Sequence, residues 1–543
     1  MRKLYQICLL LLLISLAAGA ASAQSFRVQC PPSTITHPNA ANNNSEPAYS
    51  GPTRLALGAH GYLAPTGNVN GAIKCQQISG GDGYATMADG SQTFMFSFGP
   101  LSGLADIANG LPGTEFPAVF NTMYPGTFHA GDPDTTGLAS FTFNGAVGLA
   151  PDVYAGPNGA YTTAMDGHVD PRQILDIGVM NGNIPAPLMA FDEDDEFFLT
   201  LSNVGMIMRP DLFEQHTVHF HGYPNASSVY DGVPDASVAI NIGGSFTYYY
   251  LAPDAGTYFW HCHITPPEHL QMGMVGQLYV RPRQDRVTGS LYTSLQAQQA
   301  DLRTACRRFN DGVTPAVNTV NPDILCSNPL PAGGAAANTA TGAATVLHGG
   351  TSGYAYNDGD GSTYYDVEYP LQIHGFDPNF HFVGMTFNPE NFAGMKDKYF
   401  LLNGRSYPDT VTAGPLEAES ADGNKHFSQP MPSIINIPAG KKALLRISDL
   451  DVTEYQTLAS LGIPMHVVGY NAKLLRDQAG NNLDYYANSI TLAGGESLDV
   501  ILDASNTTLY PSGSVFYLYT PQLDHLSNDA ENFGGLMTEV HIN

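Results

Sequence analysis

The sequence predicts an all-β protein of two sandwich domains, with an N-terminal arm and one long loop insertion. Three observations predict it. Glycine (57) and proline (38) are abundant, tyrosine and phenylalanine together reach 55, and only 13% of the 543 residues are charged, a balance typical of many short strands joined by turns. Apolar residues alternate in short runs such as Thr93-Phe94-Met95-Phe96-Ser97-Phe98, the period of a half-buried strand. The second half also repeats the first: Leu402-Asn403-Gly404 echoes Met180-Asn181-Gly182, Ile437-Pro438-Ala439-Gly440 echoes Asn241-Ile242-Gly243-Gly244, and Gly534-Gly535-Leu536-Met537 echoes Met272-Gly273-Met274. The length is roughly three to four ~150-residue units, so more than one core is expected.

Residues 1–23 read as a secretory signal peptide. Arg2 and Lys3 precede an apolar run from Ile7 to Leu16, and small residues lead to a cleavage point before Gln24; the run is too short to span a bilayer. Removing it leaves 20 basic against 49 acidic residues, which excludes a nucleic-acid binder and disfavours docking on an anionic membrane. With no later stretch long and apolar enough for a membrane helix, the mature chain is expected in the periplasm or outside the cell. Residues 24–85, rich in Pro, Asn, Gly and Ser, read as an N-terminal extension. Residues 86–285 form the first sandwich, interrupted at about 100–175 by a Gly/Pro/Asn-rich insertion. A helix over Leu291–Phe309 and a linker with the run Ala332-Gly333-Gly334-Ala335-Ala336-Ala337 occupy 286–365, and the second sandwich spans 366–543.

Export changes how the cysteines are read. Cys8 leaves with the signal, and in an oxidising compartment the simplest pairing is Cys30 with Cys75 and Cys306 with Cys326. Cys262 is left over, between His261 and His263. An unpaired exported thiol flanked by imidazoles reads as a metal ligand.

Two clusters surround it: His216-Thr217-Val218-His219-Phe220-His221-Gly222, and Trp260-His261-Cys262-His263 followed by His269, Met272 and Met274. Side chains alternate along a strand, so His219 and His221 share a face, as do His261 and His263, while Cys262 points the other way. Two such strands side by side place four imidazoles together. On the opposite face Cys262 can be joined by His216, His269 and Met274; two imidazoles, a thiolate and a weak thioether suit a type 1 copper. Taken singly these features are ordinary. An isolated His-x-His is mostly a surface pair, methionine is mostly core filler, and the only tryptophan, Trp260, could be core. Their conjunction carries the reading.

Here the sequence resembles the multicopper oxidases, a family of cupredoxin-like Greek-key sandwiches. The residues that carry the resemblance are Asn181-Gly182 with Pro185-Ala186-Pro187, His219-Phe220-His221-Gly222, Asp231-Gly232-Val233-Pro234, Gly256-Thr257-Tyr258 and His261-Cys262-His263, with Leu402-Asn403-Gly404, Leu445-Arg446, Met465-His466-Val467-Val468-Gly469 and Gly495-Glu496-Ser497-Leu498-Asp499-Val500 in the second half. It implies type 1 copper at His216, Cys262, His269 and Met274, with Met272 the lesser axial candidate, and a type 2/type 3 copper cluster at His219, His221, His261 and His263. Phenols, Mn(II) or Fe(II) would donate electrons, and dioxygen would accept them. Laccase-like relatives take four further histidines from a second domain, where this chain offers only His466 and His525. That deficit makes it similar also to the copper nitrite reductases, whose type 2 site is shared between the subunits of a trimer; nitrite reduction, a non-catalytic electron carrier and a possible homotrimer therefore stay open. Asp231 resembles an acid that assists proton delivery, or is a plain turn residue. Glu268 could guide a cationic donor, or be a solvating carboxylate. The run Asp192-Glu193-Asp194-Asp195-Glu196 reads as a solvated turn, and His374 and His381 as structural.

Overall fold

The computed structural model describes most of residues 28–122, 143–149, 171–287, 352–419 and 425–543, with a few short stretches between. The signal peptide, almost all of the helix expected over Leu291–Phe309, most of the linker, and Cys306 with Cys326 lie outside the described residues. The chain is all-β, and its two halves build equivalent pairs of sheets.

In the first half, β1 (Ile73–Thr86), β2 (Gln92–Pro100), β3 (Met189–Asp192), β4 (Glu196–Gly205), β5 (His219–His221), β6 (Ser245–Leu251), β7 (Gly256–His261) and β8 (Val275–Arg281) form sheets ordered β6-β4-β1-β2 and β3-β8-β7-β5. The β1/β4 and β3/β8 pairs are parallel and the rest antiparallel. Phe94, Phe96, Phe98, Phe191, Phe197, Phe220 and Trp260 fill the core between them, so Trp260 packs rather than reacts. In the second half, β9 (Val367–Phe376), β10 (Tyr399–Leu402), β11 (Ile435–Ile437), β12 (Lys442–Asp449), β13 (Gln456–Leu461), β14 (Met465–Tyr470), β15 (Lys473–Leu474), β16 (Tyr485–Ala487), β17 (Ser489–Leu492), β18 (Glu496–Asp503), β19 (Val515–Tyr519) and β20 (Met537–Ile542) form sheets ordered β10-β9-β12-β18-β14-β15, with β16 on β14, and β11-β20-β19-β13-β17. Here β9/β12 and β11/β20 are the parallel pairs. By pairing, β9 corresponds to β1, β12 to β4, β20 to β8, β19 to β7 and β13 to β5.

Three expectations change. Strand β1 lies within the stretch read as an arm, so the first sandwich begins by Ile73. Its residues Gln76, Gln77 and Ser79 are polar yet fully buried, because the insertion covers this sheet as an outer layer: Gln77 bonds Ser202 and the Gly148 amide, and Leu101, Leu104, Val147, Ile174 and Ile177 pack together against Val204. A strand buried on both faces shows no alternation. Second, the acidic run 192–196 is buried. Arg283 pairs with Asp194 and Glu193, Arg286 with Asp192, and His37 with Glu196, as burial of charge demands. Third, the described part of the insertion is a packed layer, not an open loop. Cys30 and Cys75 form a disulfide. Among the described residues, no helix is long and apolar enough to cross a membrane.

Candidate metal centre

The buried site begins with a backbone bridge that aims His216. The His216 amide donates to the Ile240 carbonyl and the His216 carbonyl accepts the Ile240 amide in return, at 3.1 and 2.9 Å, and the Asn203 side chain donates to the carbonyls of Ile240 and of Glu214 beside it. Across the sheet lies Gly80, where a Cβ would stand 2.7 Å from His216 Cδ2; only glycine leaves the ring its place. Cys262 follows the end of β7, and α1 (Pro266–Gln271) then turns His269 back towards it. The ligand atoms of His216, Cys262 and His269 all lie within 4.8 Å of one another, the one such group among the described residues.

All three are fully buried. Neither ring nitrogen of His216 has a hydrogen-bond partner, nor has His269 Nε2, which stands 3.6 Å from Glu214. Cys262 Sγ receives the Thr217 amide at 3.4 Å and His269 Nδ1 at 3.2 Å. Burial alone would push the thiol up, but the imidazoles of His269 and His216 override it and hold Cys262 well below the ordinary thiol range. Burial would lower His269, yet the facing thiolate and Glu214 raise it to about 10; His216 is lowered by burial. A buried thiolate beside unpartnered imidazole nitrogens is a donor set for a soft cation. Met274 joins through its backbone, whose carbonyl receives the Cys262 amide at 3.2 Å, and its side chain lies in the apolar cluster around Cys262. The Met272 side chain lies instead against Gly384.

On the other side of Cys262 the four remaining histidines converge. Ring centroids are 5.3 Å apart for His219 and His261, 5.1 Å for His219 and His263, 5.5 Å for His261 and His263, and 5.9 Å for His219 and His221. His219 Nδ1 donates to the Asp231 carbonyl at 2.6 Å and His261 Nδ1 to the Cys262 carbonyl at 2.8 Å, which leaves Nε2 of each as the free acceptor. Burial pushes His261 down to about 3 and lowers His221, so both stay neutral with lone pairs available. The Asp231 carboxylate lies 3.7 Å from His219. Glu268 is buried beside His269 and pushed up to about 7 by burial and by Glu390 of the second half.

His466 and His525 do not join this group. His466 stacks on Tyr486 at 4.4 Å and pairs with Asp484 at 2.9 Å. His525 is buried, stacks on Phe400 at 3.7 Å, and has Gln456 Oε1 at 3.0 Å and Glu454 at 3.3 Å. Strand pairing explains why. His219 faces His261 at the end of β7, and Ala459 faces Tyr519 at the end of β19, so the second-half counterparts of His216, His219, His221 and Cys262 are Gln456, Ala459, Leu461 and Thr520. The Thr520 amide donates to Leu536 as the Cys262 amide does to Met274, and His525 meets Gln456 as His269 meets His216. His466 lies on β14, in the other sheet. The second sandwich thus keeps one donor of the buried set and none of the histidine face, and the signal missed in the sequence was Gln456 three residues before Ala459. His374 and His381 are structural: His381 Nε2 meets the Gln271 carbonyl at 2.9 Å and its ring stacks on Phe376 at 3.6 Å.

Residues 163–285 match the family model for multicopper oxidase, and the matched stretch holds His216, His219, His221, His261, Cys262, His263, His269 and Met274. Laccase 1 of Metarhizium guizhouense is 30% identical over 23% of this chain and 19% of its own length, and laccase abr2 of Aspergillus fumigatus is 31% identical over 24% and 21%. The chain thus spans about one fifth of the curated relatives it matches. The solved multicopper oxidase mgLAC aligns over 86% of both chains at 15% identity and a TM-score of 0.46.

Proposed function

We propose that this chain is an exported, copper-dependent oxidase of laccase type, which takes single electrons at the buried His216, Cys262 and His269 site and passes them to dioxygen at the histidine face. The observation that carries the reading is Cys262 itself: its thiolate serves one donor set, and its chain neighbours His261 and His263 belong to the other. His216, Cys262, His269 and Met274 would hold type 1 copper, and His219, His221, His261 and His263 would hold cluster copper. Copper supplies a one-electron couple matched to soft and imidazole donors.

The protein's own groups set the rest. His269 Nε2 faces Glu214 at the mouth of the site, with Glu268 and Glu390 nearby, so a donor that sheds a proton or carries positive charge is favoured there: a phenol, Mn(II) or Fe(II). Asp231 fixes the tautomer of His219 through its carbonyl and offers a carboxylate beside the histidine face, a position suited to proton delivery. Assembly as a homotrimer is proposed with this reading: one chain gathers four cluster histidines, half of what a laccase-type cluster uses, and any further donor must come from another subunit, though not from His466 or His525, which are engaged within the second sandwich.

That same deficit favours a second reading, nitrite reduction at a type 2 copper completed by a neighbouring subunit. A non-catalytic carrier has no use for four converging imidazoles. Copper content, EPR and oxygen uptake on copper-loaded protein separate the three. About four coppers per chain with O₂ uptake on phenols, Mn(II) or Fe(II) support the oxidase, about two with nitrite-dependent NO release support the reductase, and about one with no turnover leaves a carrier. Copper loading without a blue thiolate-to-metal absorption would overturn all three.

A further inference from the structure

Strand β6 carries three consecutive tyrosines, Tyr248, Tyr249 and Tyr250, which the metal site does not use. Alternation sends Tyr248 and Tyr250 into the core and Tyr249 to the other face. Tyr248 begins beside the buried thiolate: the Thr217 amide donates to Cys262 Sγ, and the next amide, Val218, donates to the Tyr248 hydroxyl at 3.0 Å. From Tyr248 to Tyr250 the rings are 6.3 Å apart and nearly parallel. The Tyr250 hydroxyl donates to the Tyr230 carbonyl at 2.9 Å, and the ring of Tyr230, next to Asp231 at the histidine face, is 6.1 Å from that of Tyr249. Every step joins groups close enough for single-electron exchange, and the path runs from the core to a half-buried ring.

The last tyrosine differs from the others in its partner. Tyr250 donates to a carbonyl, which cannot take a proton. Tyr249 donates at 2.6 Å to a carboxylate oxygen of Glu196, a buried group that also has His37 at 3.0 Å and the hydroxyls of Thr34 and Thr36. Burial would push Glu196 up, but His37 and these hydroxyls hold it below the ordinary carboxylate range. It is therefore a charged acceptor in line with the phenol. The hydrogen bond is charge-assisted.

We propose that Tyr248, Tyr250, Tyr230 and Tyr249 form a redox chain that draws single oxidising equivalents away from the Cys262 and histidine sites and holds them at Tyr249, with Glu196 as its base. The inference rests on the oxidase reading for its oxidant, the dioxygen-oxidised metal site. In the step, Tyr249 gives one electron to that site through the other tyrosines; its O–H bond breaks, the proton forms an O–H bond on Glu196, and a neutral tyrosyl radical remains. A phenolic donor at the surface returns the electron, and the proton goes back from Glu196. The chain would act when reductant runs out in mid-turnover, sparing the histidines from oxidation.

The test is freeze-quench EPR of copper-loaded protein given dioxygen with substoichiometric donor, with mass spectrometry of histidine oxidation after many cycles. The expected result is a tyrosyl signal that Tyr249→Phe abolishes and Glu196→Gln lowers about tenfold, the worth of one charge-assisted hydrogen bond, with more oxidised His219 and His261 in both variants and steady-state rates unchanged. A protein that takes up O₂ with no tyrosyl signal, or with a signal unmoved by Tyr249→Phe, overturns the proposal and leaves the oxidase reading intact. Should the protein bind no copper or consume no O₂, the oxidase reading fails instead. Flash photo-oxidation of the metal-free chain by a ruthenium(III) complex then decides, since an unchanged radical yield in Glu196→Gln would overturn the Tyr249 and Glu196 couple.

Discussion

At the scale of single residues, Cys262 organises the centre because burial and two imidazoles act on it with opposite signs and the imidazoles win. Removing the thiolate should empty one donor set only. Cys262→Ser is expected to abolish the blue absorption and lower copper content by about one equivalent, while the histidine face keeps its copper; absorbance and metal analysis check both. Gly80 is the less obvious dependency. In Gly80→Ala the new methyl would press on His216, at a cost of about 1–3 kcal/mol, and weaken or shift the blue band without touching a donor; a spectrum identical to the parent's would contradict this. The buried donors were legible in the sequence, since all lie within one stretch from His216 to Met274 and strand alternation sets His219, His221, His261 and His263 apart from Cys262, while His269 reaches Cys262 only because α1 turns it back. Gly80, more than a hundred residues earlier, and Glu214, a solvent-side carboxylate by composition, were not, because their roles depend on sheet pairing.

At the scale of elements, the two halves are clamped by Glu368 on β9, held between Arg281 on β8 and Arg446 on β12, with Tyr279 under the Arg446 guanidinium at 4.6 Å. Burial would push Glu368 up, but Arg281 and Arg446 bring it down to about 2. The folded form therefore binds fewer protons than the unfolded one. Its stabilisation, about 3 kcal/mol, is complete above about pH 4.5 and lost as pH falls towards 2. Glu368→Gln should lower the melting temperature at neutral pH and flatten the acid limb of the stability curve; a parallel downward shift at all pH values would count against the clamp. The buried stack of His525 on Phe400 is likewise structural. His525→Ala is expected to cost about 2–4 kcal/mol in thermal or denaturant unfolding and to leave copper content unchanged. Sequence reading misplaced His525 and His466 because it matched them to a motif by spacing, whereas equivalence is set by which strand pairs with which. The acidic run at 192–196 misled for a related reason: the arginines that neutralise it, Arg283 and Arg286, stand about ninety residues away along the chain.

At the scale of the whole molecule, the all-β architecture and the repeat were readable because turn composition and alternation are local, while the covering layer over β1 was not, since a polar strand such as Ile73–Thr86 shows its burial only when the insertion is folded onto it. The strong excess of negative charge over the chain should draw cationic donors more than anionic ones. The rate constant for a cationic one-electron donor is expected to fall with rising salt, and that for an anionic donor to rise, in stopped-flow reduction of the blue centre; the same salt response for both would contradict it. Gln456, Thr520, His525 and Leu536 stand where His216, Cys262, His269 and Met274 stand in the other half, so the second sandwich is an internal control with its donors exchanged for isosteric, inert ones. Three substitutions, Gln456→His, Thr520→Cys and Leu536→Met, would restore the full set around a histidine already in place, giving one chain two blue centres with different surroundings and making the ancestry of the duplicated domain open to reconstruction at the bench.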